Sequence, residues 1–231
     1  MQNALVYIIS IILIIIPVEI DNVIAVGDKT AAVDTVNQPA FGASRLGGRD
    51  LERIAGVSWR DGCPVPTDDL RILNVTYVGF DGRRRAGELV CHYQVAGDLL
   101  EIFKELYEAE FPIGRVRLVD EYGADDVLSM DDNNTSAFNY RKISGSAKLS
   151  RHAYGLAIDI NPVQNPYVES AGDIVQPEAG RAYLDRGNAR PGMIVPGNPA
   201  HKAFISRGWT WGGDWKNQKD YQHFQKDIII Q

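Results

Sequence analysis

Residues 70–80, "LRILNVTYVGF", and 87–95, "GELVCHYQV", are rich in β-branched and aromatic residues, and the polar "DGRRRA" lies between them. Two such runs around an Asp-Gly turn predict an antiparallel hairpin. The period then changes. Val95, Leu99, Ile102, Phe103 and Leu106 fall at helical spacing and Pro112 closes the segment, so one amphipathic helix should cover the sheet. Residues 113–122 return to a strand-like pattern, whereas 131–150 hold too much Asn, Ser and Gly for a regular element. An irregular stretch of that length in a compact domain is more often functional than idle. "GLAIDIN" (155–161) reads as strand and 165–199 as a long surface insertion with several turn signals. Pro199 and Gly208 bracket a short helix through Phe204, and 221–230 reads as a final strand. Strands interleaved with two helices, mostly linked by hairpins, predict an α+β fold with a small antiparallel sheet flanked by helices.

The N-terminal part differs in character. Residues 4–18 are an apolar run broken at Ser10 and ended by Pro17, Glu19 and Asp21. About 20 apolar residues cross a bilayer comfortably, so the run suits the core of a secretory signal, with an uncleaved anchor as the alternative. Residues 1–25 are therefore expected to be signal peptide or anchor, 26–55 a small-residue linker or lead-in, and 56–231 the functional domain. An exported protein follows, placed in the periplasm, wall or extracellular space, touching membrane only through such an anchor. In that setting the only two cysteines, Cys63 and Cys91, fit one disulfide. Two unpaired thiols are the other reading, and two cysteines alone do not make a structural zinc site.

Charge narrows the partners. A formal net charge of −6 argues against a nucleic-acid binder, which needs clustered Lys and Arg. The one tight basic cluster, Arg83-Arg84-Arg85, follows Asp81-Gly82 and reads as a solvated hairpin loop.

The chemistry concentrates in two stretches. "SRHAYGLAIDINP" sets His152 and Asp159 on either side of a small-residue turn, and the carboxylate sits among apolar neighbours. A buried carboxylate is costly unless something positive meets it. A divalent cation such as zinc would do so, bound by imidazole and carboxylate at about 2.0–2.2 Å, three protein ligands leaving a fourth position for water. In "WTWGGDWKNQKDYQHF", Asp220 lies three residues before His223, the spacing of a carboxylate that reaches a water beside the metal without itself being a ligand. His92 reads as an ordinary sheet residue and His201 as an exposed one.

Those two stretches resemble the S-x-H-x-x-G-x-A-x-D segment and the tryptophan-glycine-rich closing motif of the zinc peptidoglycan peptidases, which include D-alanyl-D-alanine carboxypeptidases and L-alanyl-D-glutamate endopeptidases. The closing motif is nearest to the endolysin-like branch, and the resemblance runs over roughly residues 70–227. It implies a hedgehog/D-Ala-D-Ala-peptidase-like α+β fold and peptidoglycan stem peptides as substrate. It also implies one zinc per chain on His152, Asp159 and His223, with Asp220 as catalytic base and Arg141 as the cation facing a substrate carboxylate or oxyanion. The forked, permanently charged guanidinium of Arg141 suits either role, a salt bridge being the alternative. Ser150, Tyr154 and Trp211 are expected at the substrate, Ser150 alternatively as a turn residue. Trp209, Trp211 and Trp215 should pack beneath the final strand, and Asp214 either supports a ligand histidine or closes a turn. A non-catalytic wall-binding or signalling module with structural zinc is the competing function.

Overall fold

The computed structural model describes residues 38–169 and 173–228. The expected signal peptide or anchor lies outside the described residues. No helix among the described residues is long and apolar enough to cross a membrane.

Strand β1 (Gly42–Arg45) and helix α1 (Gly48–Ile54) come first, inside the expected lead-in. β1 pairs antiparallel with β2 (Leu70–Val78), Gly42 opposite Asn74, and Ile54 is fully buried. Residues 42–54 thus pack onto the hairpin, within the stretch expected as a lead-in. Small polar residues concealed an edge strand whose own side chains are all exposed.

β2 and β3 (Arg84–His92) form the predicted hairpin, in register from Leu70 opposite His92 to Val78 opposite Arg84. Alternation sends the residues to two faces. Leu73, Val75, Tyr77, Leu89 and Cys91 join the main core, whereas Leu70, Ile72 and Val90 join a second cluster with Ile54, Val65, Leu118 and Phe138. The second strand ends two or three residues earlier than its β-rich run suggests, because the His92 side chain accepts from the Gln94 amide and starts α2 (Tyr93–Glu108). Val95, Leu99, Ile102, Phe103 and Leu106 are buried along α2 as the spacing predicts. Each such side chain contributes about 1.5–3 kcal/mol of burial free energy.

Regularity declines after α2. The strand expected over 113–122 reduces to β4 (Arg115–Val116) followed by a 3-10 turn over Val119–Tyr122. Helix α3 (Asp126–Asp131) was not anticipated, and Asp125 caps it through the Val127 and Leu128 amides. β5 (Asn134–Thr135) pairs with β4 in parallel, an exception to the antiparallel expectation. Then come β6 (Ala157–Asp159), β7 (Tyr167–Val168) and β8 (Val175–Gln176). Helix α4 (Pro199–Ile205) has Pro199 in its first turn and Asn198 as cap. β9 (Thr210–Trp211), β10 (Lys219–Asp220) and β11 (His223–Gln225) complete the described chain. One small sheet runs β6-β11-β9 and another β10-β7-β8.

The described part of 165–199 is more than a surface insertion. It supplies two short strands and buries Val175, Met193 and Ile194, the last within the main core. The expected disulfide is absent: Cys63 and Cys91 are free. Cys91 points from β3 into the main core, while Cys63 packs against the second cluster on the opposite face, so the sheet separates them.

Candidate metal centre

His152 lies in a 3-10 turn over Arg151–Tyr154, capped by Ser150, whose hydroxyl accepts from the His152 amide at 3.3 Å. Gly155 ends the turn at φ +65, and a Cβ there would meet the His92 amide nitrogen at 2.6 Å. Only glycine satisfies both the left-handed conformation and the close approach. The chain then enters β6, where Asp159 stands directly opposite His223 of β11.

Three donor atoms converge. His152 Nε2 lies 3.1 Å from Asp159 Oδ2 and 3.2 Å from His223 Nδ1, and His223 Nδ1 lies 3.0 Å from Asp159 Oδ1. All three residues are buried. The outward nitrogens of both rings meet oxygen acceptors: His152 Nδ1 donates to the Ala137 carbonyl at 2.5 Å and His223 Nε2 to Gln225 Oε1 at 3.1 Å. With those nitrogens protonated, both inward nitrogens carry lone pairs, as ligands require. Two lone pairs and a carboxylate facing one another call for positive charge among them, either a proton on an imidazole or a metal ion. A tetrahedral ion with bonds of about 2.0–2.2 Å places ligand atoms about 3.3–3.6 Å apart, so a small outward adjustment accommodates it. These three residues could hold a metal ion.

The protonation tendencies agree. Burial would raise the Asp159 carboxyl, but the two imidazoles hold it far below the usual carboxylate range. Burial alone would lower the His223 imidazole, yet hydrogen bonding to Asp159 and the charges of Asp159 and Asp220 push it up. In effect the carboxylate gathers positive charge from whatever surrounds it.

Asp220 stands beside this group on β10. The residue is half-buried, but its Oδ1 is shut from solvent and has no hydrogen-bond partner. Burial raises its carboxyl to about 7; the Asp159 charge also raises it, while His223 and Arg141 act the other way. A Cβ on Gly212 would meet the Asp220 carbonyl at 2.5 Å, so glycine lets the preceding turn pass close. Tyr167 of β7 stands opposite Asp220 in register.

Other expected site residues divide. Arg141 pairs with Asp126 of α3 at 2.9 Å, its Nε buried without a partner, close enough to Asp220 to affect it. Ser150 caps the ligand turn and is only 6% exposed, which fits the turn reading rather than a substrate contact. Tyr154 packs against both hydrophobic clusters, and no contact places it at the site. Trp211 is 4% exposed, its Nε1 donating to the Tyr221 carbonyl and its ring against Phe224, so it is core rather than groove. Trp209 is likewise core, edge-on to Phe204. Trp215 is the exception, half-buried with its ring 5.4 Å from that of His223. Asp214 is exposed in the turn Gly212–Asp214, and the ligand rings take Ala137 and Gln225 as partners instead. His201 is half-buried, its ring edge-on to Trp211 at 5.3 Å, and His92 is a buried helix cap.

Sequence reasoning missed Gln225, Ala137 and Asp126. Gln225 had a signal, since alternation along a strand puts His223 and Gln225 on one face. A backbone carbonyl such as Ala137's has none.

Residues 144–226 match the family described as D-alanyl-D-alanine carboxypeptidase. The likeness is confined to that segment. It contains His152, Asp159, Asp220 and His223, while Arg141 lies just before it. No match to a curated protein or to a solved structure accompanies it.

Proposed function

We propose that this chain is an exported zinc peptidase that hydrolyses peptide bonds in peptidoglycan stem peptides. The observation that carries this reading is the inward-facing His152, Asp159 and His223 trio with a partnerless carboxyl, Asp220, beside it. A purely structural metal site has no use for that fourth group. The apolar run at 4–18 supports export by its sequence, and the family description supports the terminal D-alanine as the group removed.

Zinc held by the trio would polarise the scissile carbonyl and lower the pKa of water from about 15.7 to about 7. Asp220 takes the proton from the attacking water and returns it to the departing amine. Burial raises this carboxyl in the metal-free chain, the direction that makes a carboxylate a better proton acceptor. Arg141, oriented by Asp126, meets negative charge on the substrate, whether a terminal carboxylate or the oxygen that develops charge during attack. Trp215 offers a flat apolar wall next to His223.

The test pairs elemental analysis of the purified chain with mass analysis of products from a stem peptide ending in D-alanyl-D-alanine. About one zinc per chain and release of a single terminal alanine is the expected outcome. Cleavage between L-alanine and D-glutamate would make it an endopeptidase of the same chemistry. Zinc without cleavage would leave the wall-binding or signalling module, and absence of zinc would remove the metal reading.

A further inference from the structure

Arg186, in the middle of the 165–199 segment, is a cation in an unusual place. Its Nη1 donates to the carbonyls of Gln164 at 2.8 Å and Tyr183 at 3.2 Å, and its Nη2 to Asn165 Oδ1 at 2.9 Å and to the Ile194 carbonyl. Among the described residues its Nε is buried without a partner, and no carboxylate pairs with it. Burial pushes the guanidinium down to about 10, which leaves it charged at neutral pH. Holding a charge in such surroundings is costly, and a well-packed apolar side chain often stabilises as much. Packing alone is therefore a poor reason for arginine here.

Its contacts reach both halves of the site. The guanidinium lies over the Tyr221 ring at 4.4 Å, and Tyr221 follows Asp220 directly. Asn165, fully buried, donates from Nδ2 to the carbonyls of Ile160 at 3.1 Å, Asn161 at 3.2 Å and Gly192 at 2.9 Å, and Ile160 follows Asp159. The Tyr221 amide donates to the Pro166 carbonyl, and the Ile160 amide to the Gln222 carbonyl. One side of the guanidinium thus grips the strand that presents the base, and the other, through Asn165, grips the strand that presents a metal-binding carboxylate.

We infer that Arg186 is a positioning residue that sets Asp220 at its working distance from the His152, Asp159 and His223 trio. The inference rests on the peptidase reading above. A displacement of about 1 Å at a catalytic group costs on the order of 100-fold in rate, so loosening either grip should fall on kcat. The trio itself is held by the 3-10 turn over Arg151–Tyr154, β6 and β11, and should keep its metal.

The test compares Arg186→Lys, Arg186→Met, Tyr221→Leu and Tyr221→Phe in the full zinc-loaded chain. Zinc affinity is measured by chelator competition, and kcat and KM on a stem peptide. Arg186→Lys, Arg186→Met and Tyr221→Leu should lose about 10- to 100-fold in kcat, with KM within about twofold and zinc affinity unchanged. Tyr221→Phe keeps the aromatic face under the cation and should stay near wild type. Should Arg186→Met fail to fold, Tyr221→Leu carries the test, because it leaves the hydrogen bonds of Arg186 in place. Wild-type kcat in Arg186→Lys and Tyr221→Leu, or a loss of kcat that follows a loss of zinc, overturns the inference alone. A wild-type chain that binds zinc but cleaves nothing overturns the peptidase reading and this inference with it.

Discussion

The hairpin with its helix and the metal centre are built by different means. In the first region nine-residue strands β2 and β3 and the sixteen-residue α2 bury side chains such as Leu73, Leu89, Leu99 and Phe103. Position there is set by many weak, non-directional contacts that tolerate small shifts. In the second region the strands have two or three residues, and buried polar groups do the holding. Asn161 sits at φ 48 with Oδ1 accepting from the Gly114 amide at 2.9 Å and Nδ2 donating to the Pro112 carbonyl at 2.8 Å. Asn134 accepts from the Arg117 amide and donates to Ser129 Oγ. Directional bonds fix distances that apolar packing leaves loose, which is what a site of four converging side chains requires.

If the division holds, substitutions in the second region should strike chemistry and those in the first should strike stability. The largest effect is expected from His152→Ala, which removes one of three donors and should abolish both zinc binding and turnover. Asp220→Ala should keep zinc and lose about 10²–10⁴ in kcat. Elemental analysis beside turnover measurements separates the two, and zinc loss in Asp220→Ala would place that carboxylate among the ligands. In the first region, Leu99→Ala should cost about 2–5 kcal/mol of stability in urea unfolding. The protein that remains folded should keep its kcat, and a large loss of kcat there would break the comparison.

Legibility in the sequence followed the same division. Periodicity revealed the β2–β3 hairpin and α2 because their burial repeats along the chain, and α4 because Pro199 and the following Gly208 punctuate it. Of the site, His152, Asp159, Asp220 and His223 drew notice through local spacing together with the resemblance, and the folded chain gathers the two histidines and Asp159 with Asp220 near them. What escaped depends on distant partners. β1 is a strand only because Asn74 and its neighbours pair with it, and α3 holds as a helix through the Asp125 cap. Asn165 and Arg186 are ordinary polar residues until the fold buries them. Trp211 and Trp215 look alike in sequence, yet pairing with β11 sends the first into the core and leaves the second by His223.

A site tuned for chemistry should also cost stability where its key group is held away from water. Asp220 is ordinarily half-ionised near 3.8, and burial raises it to about 7 in the fold. Between these values the unfolded chain is ionised while the folded chain retains its proton, so stability falls as pH rises from about 4 to about 7. Above 7 the whole penalty is present. In the metal-free protein Asp220→Asn should therefore be more stable than wild type at pH 8 by about 1–3 kcal/mol. The difference should vanish below pH 4. Equal stability of the two across that range would mean that the carboxyl is solvated and would weaken its assignment as the base.

The smallest effect belongs to the cysteines, and it probes the first region alone. Burial pushes both thiols up, Cys91 much the further, so neither is a ready thiolate near neutral pH. Because the sheet stands between them, no bond constrains the unfolded chain, and a reducing agent should leave the thermal midpoint unchanged. Removal of a native disulfide typically costs about 2–5 kcal/mol, a difference too large to overlook. Cys63→Ser, at a half-buried position beside the second cluster, should cost about 1 kcal/mol or less and leave zinc content untouched. A marked drop on reduction would require a different passage of 56–65 past the sheet, and the two-faced packing of β2 and β3 would have to be redrawn with it.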